Sequence, residues 1–322
     1  MPDTAENLRA RLDGGLVPAV PVTLDGAGRL HARAHDSYLR HMSEQPLAGV
    51  AVWAHTGRGL MLDRQTADVV LRDWRAALPG KVVVAGAGAP ASASPAEATG
   101  RSVEMAERAA RLGADAVLAY APTWLCGRDE RDRLIGEHHR RLAAGGLPLV
   151  LFYLYDEAGG ISYPPAVLDE LLSMPEVIGI KMATLDSVMT YQDVSRRLAE
   201  RHPERLLITG EDRFLGYSLM RGARAALIGM GAACSRMQAE LVRAAVEGDA
   251  RRFLTLSRRA DMLAEATFTR PLEGYIKRML WVLVHQGVIP TDAANDPWGP
   301  ELPREECEEV RRVVAALEAE GK

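Results

Sequence analysis

The chain has 322 residues, 48% of them hydrophobic, 25% charged and 5% aromatic, and a formal net charge of −4. This is the composition of an ordinary globular protein and excludes a disordered, collagenous or coiled-coil chain; the near-balance of charge leaves no basic face for nucleic acid or an anionic membrane. Three widely spaced cysteines (Cys126, Cys234, Cys307) have no metal-knuckle spacing, no basic start precedes an apolar stretch, and no window of about 18 residues is uniformly apolar; a cytoplasmic protein with reduced thiols, no signal peptide and no membrane span is expected.

A strand-then-helix rhythm runs from about residue 16 to 245. Eight apolar runs read as strands: Val17 to Thr23, Gly49 to Ala54, Lys81 to Ala85, Asp115 to Ala121, Pro148 to Leu154, Val177 to Ala183, Arg205 to Thr209 and Ala225 to Gly229. Helical spacing fills Asp63 to Leu78, Arg101 to Leu112, Asp129 to Ala144 and Val188 to Arg201. Near-continuous apolar strands suit a parallel sheet covered on both faces. The expected fold is therefore α/β, a (β/α)8 TIM barrel over residues 1–247 that carries the active site, with a doubly wound open sheet as the competing arrangement. Helices at Ala250 to Ala266, Leu272 to Gln286 and Arg304 to Glu320 then predict a C-terminal helical domain over 248–322. Gly86 and Gly88 follow the third strand without the third glycine of a dinucleotide fingerprint, so no cofactor is expected. His138-His139 is placed on an exposed helix face without ligands at zinc spacing, so no metal is expected either. Glu211-Asp212 either contacts a polar substrate or caps the next helix.

The sixth run, Val177-Ile178-Gly179-Ile180-Lys181-Met182-Ala183, carries the strongest chemical signal. Alternation places Val177, Gly179, Lys181 and Ala183 on one face and Ile178, Ile180 and Met182 on the other, which turns Lys181 into the barrel. Only four of 39 cations are lysines (Lys81, Lys181, Lys277, Lys322), so one inside an apolar strand needs a reason of its own. A dry interior disfavours ammonium and lowers its pKa. At the reference value about one lysine in 2,500 is neutral at pH 7, and a fall of about 3 units raises that to about a third. The neutral amine attacks carbonyl carbon, and the resulting iminium withdraws electrons from the adjacent carbon. A buried ion pair is the bland reading, but no acid lies in the run and Asp186 stands only at its mouth. In the fifth run alternation puts Leu149, Leu151, Tyr153 and Tyr155 on one face, with both tyrosines at the end where barrel sites form. Strands lie about 4.8 Å apart, so a phenol there is expected to reach Lys181 and shuttle protons.

FYLYDEAGG, with Tyr153 standing 28 positions before the lysine of GIKMA, resembles the YNxP tyrosine and GIKEA lysine of the dihydrodipicolinate synthase and N-acetylneuraminate lyase superfamily. His55-Thr56-Gly57-Arg58 is similar to that family's GTTGE or GSTGE motif, Ala121-Pro122-Thr123-Trp124 to its TPYY, and Pro271 to Gly287 to its C-terminal Pro-x-K helix. The resemblance implies a barrel with a helical C-terminal domain, usually a homotetramer, performing class I aldolase-type chemistry on 2-oxo acids. It implies Lys181 as the imine former, Tyr153 as the proton carrier, and His55, Thr56 and Gly57 as the carboxylate holder, mainly through backbone N–H groups and the Thr56 hydroxyl. Trp124, Tyr155 and Gly229 would complete the substrate site, with Gly229 and Met230 on the far side of the lysine. Four positions depart from the pattern. The synthase arginine falls on Ala158, the first motif threonine is His55, the motif glutamate is Arg58, and Thr123-Trp124 removes the tyrosine that a neighbouring subunit contributes.

The resulting expectation is a lyase that makes or cleaves a C–C bond through a lysine imine, on pyruvate or a pyruvate-yielding 3-deoxy-2-oxo acid, as a homotetramer or dimer. The same imine also serves a 3-deoxy-sugar-acid dehydratase, and a non-catalytic metabolite-binding barrel is the third reading.

Overall fold

The computed structural model describes residues 4–90, 93–127, 129–155, 160–185 and 187–320; Ala158, Asp186 and Lys322 lie outside the described residues. Strands β1 (Gly49–Val52), β2 (Val82–Ala87), β3 (Ala116–Ala119), β4 (Leu149–Leu154), β5 (Val177–Ala183), β6 (Leu206–Thr209) and β7 (Ala225–Ala226) form one parallel sheet in chain order. Before and between them lie helices α1 (Ala5–Leu12), α2 (Ala32–Ser43), α3 (Arg64–Ala77), α4 (Pro95–Arg111), α5 (Arg131–Ala143), α6 (Pro165–Leu172), α7 (Val188–Arg201) and α8 (Leu215–Met220). After β7 come α9 (Ser235–Glu247) and the helical C-terminal region, α10 (Ala250–Thr267), α11 (Tyr275–His285) and α12 (Arg304–Glu320).

The expected first strand, Val17 to Thr23, does not form a ladder. Pro18 and Pro21 carry no N–H to donate, and the segment makes only isolated bridges, Leu16 with Ala226 and Ala19 with Ala51. It nevertheless bonds both edges of the sheet, Val17 N–H to Ala226 O at 2.7 Å and Val20 N–H to Ala51 O at 3.1 Å.

Short polar side chains start the helices. Asp63 accepts from Thr66 N–H at 2.9 Å ahead of α3, and Asp249 accepts from Arg252 N–H at 3.0 Å ahead of α10. Gly248, at φ 74°, ends α9 with a left-handed turn that favours glycine. The strands bury both faces. Leu149, Leu151, Ile180 and Met182 pack outward against the helices. Val84, Leu118, Phe152 and Ile208 form an inner layer that Leu8 and Leu12 of α1 join.

Two expectations about facing fail here. β4 and β5 slip register between Leu149 and Val150, so that Leu149 pairs with Val177 but Val150 with Gly179. Ile178 turns into the inner layer and Val177 into the outer one, because a one-residue irregularity breaks alternation. The same register sets Phe152 beside Lys181 and Tyr153 beside Met182. His138 and His139 are also not solvated: they are 1% and 0% exposed on the inward side of α5. No described helix is long and apolar enough to cross a membrane.

Candidate active site

Lys181 stands in β5 between Phe152 of β4 and Ile208 of β6 and is 5% exposed. Its Nζ lies 4.2 Å from the centroid of the Phe152 ring. Burial lowers its pKa from the ordinary lysine value, opposed by the Asp212 and Glu211 carboxylates. Gly210, at the end of β6, makes room for the side chain: a Cβ there would stand 2.6 Å from Lys181 Cε. Asp212 accepts from Met230 N–H at 2.7 Å. Its pKa is raised by burial, against the backbone donors and Lys181. Glu211 has a different task. It accepts from Thr184 N–H, the Thr184 hydroxyl and Leu185 N–H, each at 2.8 Å, and so holds the turn after β5 in which Leu185 sits at φ 54°.

The pocket at the lysine has a volume of about 20 Å³, room for about one water. His55, Thr56, Tyr155 and Gly229 line it, as expected. Trp124 does not. It is half-buried in the 3-10 turn Thr123–Leu125, edge-on to His138 with centroids 5.1 Å apart, and lines a separate cavity of about 340 Å³ beside His55 and Arg58.

Tyr153 is not beside the lysine either. It faces the outer layer, its hydroxyl 2.8 Å from Ser162 Oγ and its ring against Tyr163. The apolar run Leu149–Leu154 is buried on both faces, so its composition does not say which parity points inward. Tyr155, just past the strand, does turn in, and its hydroxyl donates to Glu273 Oε1 at 2.7 Å.

The turn His55–Gly57 after β1 presents side chains to the pocket. Gly57 N–H is spent on Ala54 O and Arg58 N–H on His55 O, both at 3.0 Å. The expected Gly57 donor is therefore closed off inside the turn. His55 Nε2 lies 2.9 Å from Glu273 Oε1, and Thr56 Oγ1 lies 2.9 Å from the Tyr275 hydroxyl. Arg58, at φ 50°, donates to Glu273 Oε2 at 2.8 Å and to Asp296 at 3.1 and 2.8 Å. Burial alone would raise the Glu273 pKa; bonds from His55, Arg58 and Tyr155 outweigh it and hold the carboxyl down at about 2.

Phe268, Glu273, Tyr275 and Asp296 all come from the C-terminal region and were invisible in the sequence, because Glu273, Tyr275 and Asp296 pair with residues 118 to 238 positions away. The available signal was Arg58, a reversed charge that demands a carboxylate. Among the described residues no group of three or more His, Cys, Asp or Glu is placed to hold a metal ion. A weakly basic lysine, carboxylates near it and several hydroxyls suit carbonyl addition followed by proton transfer.

The model of the dihydrodipicolinate synthetase family matches residues 13–317. The 4-hydroxy-tetrahydrodipicolinate synthase of Stenotrophomonas maltophilia (strain K279a) is 30% identical over 210 residues, 65% of this chain, and the chain spans just under two thirds, 66%, of that relative's length. The protein of the same description from Methylobacterium radiotolerans is 26% identical over 307 residues, 95% of this chain and 94% of its own. Among solved structures, wild-type Ruminococcus gnavus sialic acid aldolase superimposes with a TM-score of 0.80 at 18% identity, covering 96% of this chain and 99% of its own. Dihydrodipicolinate synthase from Bacteroides thetaiotaomicron does so with a TM-score of 0.80 at 19% identity, covering 95% and 98%. At those identities the likeness is one of fold.

Proposed function

Because the chain belongs to the dihydrodipicolinate synthetase family, we propose that it is a class I aldolase-type lyase that forms an imine between Lys181 and a 2-oxo acid, pyruvate or a pyruvate-yielding 3-deoxy-2-oxo acid. The observation that carries this reading is the buried amine of Lys181 at the mouth of the sheet, weakened as a base by desolvation and faced by Asp212. The amine adds to the C2 carbonyl, water leaves, and the iminium accepts the electron pair of the breaking C–C bond. Thr56 and His55 are the groups of the β1 turn that face the substrate carboxylate, and Gly229 leaves it space. With room for about one water, the pocket has to widen to admit a 2-oxo acid.

The finer architecture belongs to the same proposal. The segment bonded to both β1 and β7 acts as the eighth strand of a closed (β/α)8 barrel, residues 1–247 form the barrel, and 248–322 form a helical domain. A cytoplasmic homo-oligomer without a cofactor completes the reading.

The test is borohydride trapping with pyruvate, followed by intact mass and peptide mapping. One adduct on Lys181 is expected, absent in Lys181→Ala, whose circular dichroism should match wild type. An adduct of equal yield in Lys181→Ala removes the assignment.

A further inference from the structure

Imine chemistry needs a group that gives a proton to the departing hydroxyl and takes one back during C–C cleavage. Tyr153, the residue on which the resembled motif places that work, is bonded to Ser162 on the far side of β4. The polar side chains that line the lysine pocket are His55, Thr56, Tyr155, Asp212 and Tyr275. Three of them are committed to carboxylate or backbone partners: His55 and Tyr155 to Glu273, and Asp212 to Met230 N–H. Tyr275 and Thr56 are bonded to each other at 2.9 Å through two hydroxyls, either of which can donate. Such a pair can pass a proton in both directions without changing its geometry.

The Tyr275 ring is held to one plane. It stacks on Phe268 with centroids 4.5 Å apart at 23°, and on His55 at 6.2 Å and 22°. Gly229 keeps the way open, since a Cβ there would lie 2.9 Å from Tyr275 Cε2 and 3.0 Å from Thr56 Oγ1. A phenol clamped between two rings, with a reversible partner and a glycine cut away beside it, is poorly explained by packing alone.

We propose that Tyr275, relaying through the Thr56 hydroxyl, is the catalytic acid and base of this site in place of Tyr153. The proposal rests on the Lys181 imine reading. Neutral Lys181 first adds to the C2 carbonyl to give a carbinolamine. The Tyr275 O–H then passes its proton to Thr56 Oγ1 as the Thr56 O–H donates to the carbinolamine hydroxyl; the C–O bond breaks, water departs, and the nitrogen lone pair forms C=N, leaving iminium and the Tyr275 phenolate. As the C3–C4 bond breaks, its electron pair flows into the iminium. The phenolate takes the proton of the C4 hydroxyl through Thr56, so the aldehyde leaves, the enamine stays on Lys181, and the phenol is restored. Burial and the neighbouring Glu273 and Asp212 carboxylates push the phenol pKa up, which favours the protonated form at rest and makes the phenolate a strong acceptor.

The experiment uses the full chain and pyruvate alone. Imine–enamine interconversion is read as exchange of the pyruvate methyl protons in D2O by NMR, and imine formation as the borohydride adduct on Lys181. Tyr275→Phe keeps the ring stack, so its melting temperature should stay near that of wild type. We expect its exchange rate to fall about 10²- to 10⁴-fold, with an adduct that forms slowly but reaches full yield, while Tyr153→Phe exchanges within about threefold of wild type. Exchange in Tyr275→Phe within threefold of wild type, or a large loss in Tyr153→Phe instead, overturns the proposal while leaving the imine intact. A wild-type protein that gives no adduct overturns the imine reading itself, and this inference with it. Thr56→Val separates relay from packing: its exchange should fall along with that of Tyr275→Phe, and unchanged exchange there removes Thr56 from the route.

Discussion

Lys181 is tuned by burial on one side and by the Asp212 and Glu211 carboxylates on the other, Asp212 the larger of the two. Burial disfavours the ammonium, while the Asp212 carboxylate favours it. Asp212→Asn removes the charge and can keep the acceptor for Met230 N–H. The lysine pKa should then fall further below its ordinary value, and the neutral fraction at pH 7 should rise. The expected outcome is a pH profile for pyruvate trapping whose midpoint moves to lower pH by about one unit, the usual scale for an opposite charge within about 4–6 Å. A midpoint that stays in place would mean that Asp212 does not govern the amine. A midpoint that moves to higher pH would mean that the carboxylate had suppressed the ammonium.

At the scale of elements, what the sequence made legible depended on whether a local signal existed. A lysine within VIGIKMA is anomalous in itself, and β5 forms over the expected Val177–Ala183. In the run LVLFYL only Tyr153 carries a polar atom, and a buried phenol fits either face, so composition did not fix the inward parity of β4; the pairing of Phe152 with Lys181 and of Tyr153 with Met182 shows it. On α5 the sequence predicts an exposed helix face for His138-His139, yet the structure sets His138 against Trp124 and His139 against Tyr163. That burial has a consequence for acid stability. Desolvation lowers His139 from 6.5 to about 4, partly opposed by the bond in which its Nδ1–H donates to Ile135 O at 2.8 Å. An imidazole depressed in the folded state contributes its full stability above the unfolded pKa and loses it as pH falls through 6.5 toward 4. The span corresponds to up to about 3 kcal/mol. In His139→Gln, less stable than wild type at pH 7.5 through lost packing, the deficit should shrink steadily between pH 6.5 and 4.5 in urea titrations. A deficit constant with pH would show that folding leaves the ring's pKa unshifted, and a deficit that grows would show a ring held charged.

The whole molecule joins its two parts at the site. Phe268, Glu273, Tyr275 and Asp296 reach over the mouth of the sheet, and the outer core runs unbroken from Val50 and Val83 of the strands through Leu241 of α9 to Met279, Leu283, Val314 and Leu317. Arg58 is the main ionic link across that junction. It is 9% exposed and binds both Glu273 and Asp296, the latter only 2% exposed. Removing one partner of a buried ion pair leaves an uncompensated charge and costs about 3–5 kcal/mol. Arg58→Ala should therefore lose stability on that scale. Because the core is shared, the loss should appear as one transition: far-UV circular dichroism and the capacity to be trapped on Lys181 should fall at the same urea concentration. Separate transitions, with trapping lost while most of the helix signal persists, would mean that the C-terminal region detaches on its own and that the site is assembled only when it docks. A single transition instead makes the two parts one cooperative body, in which a residue of α11 can be held as firmly against the lysine pocket as any strand residue.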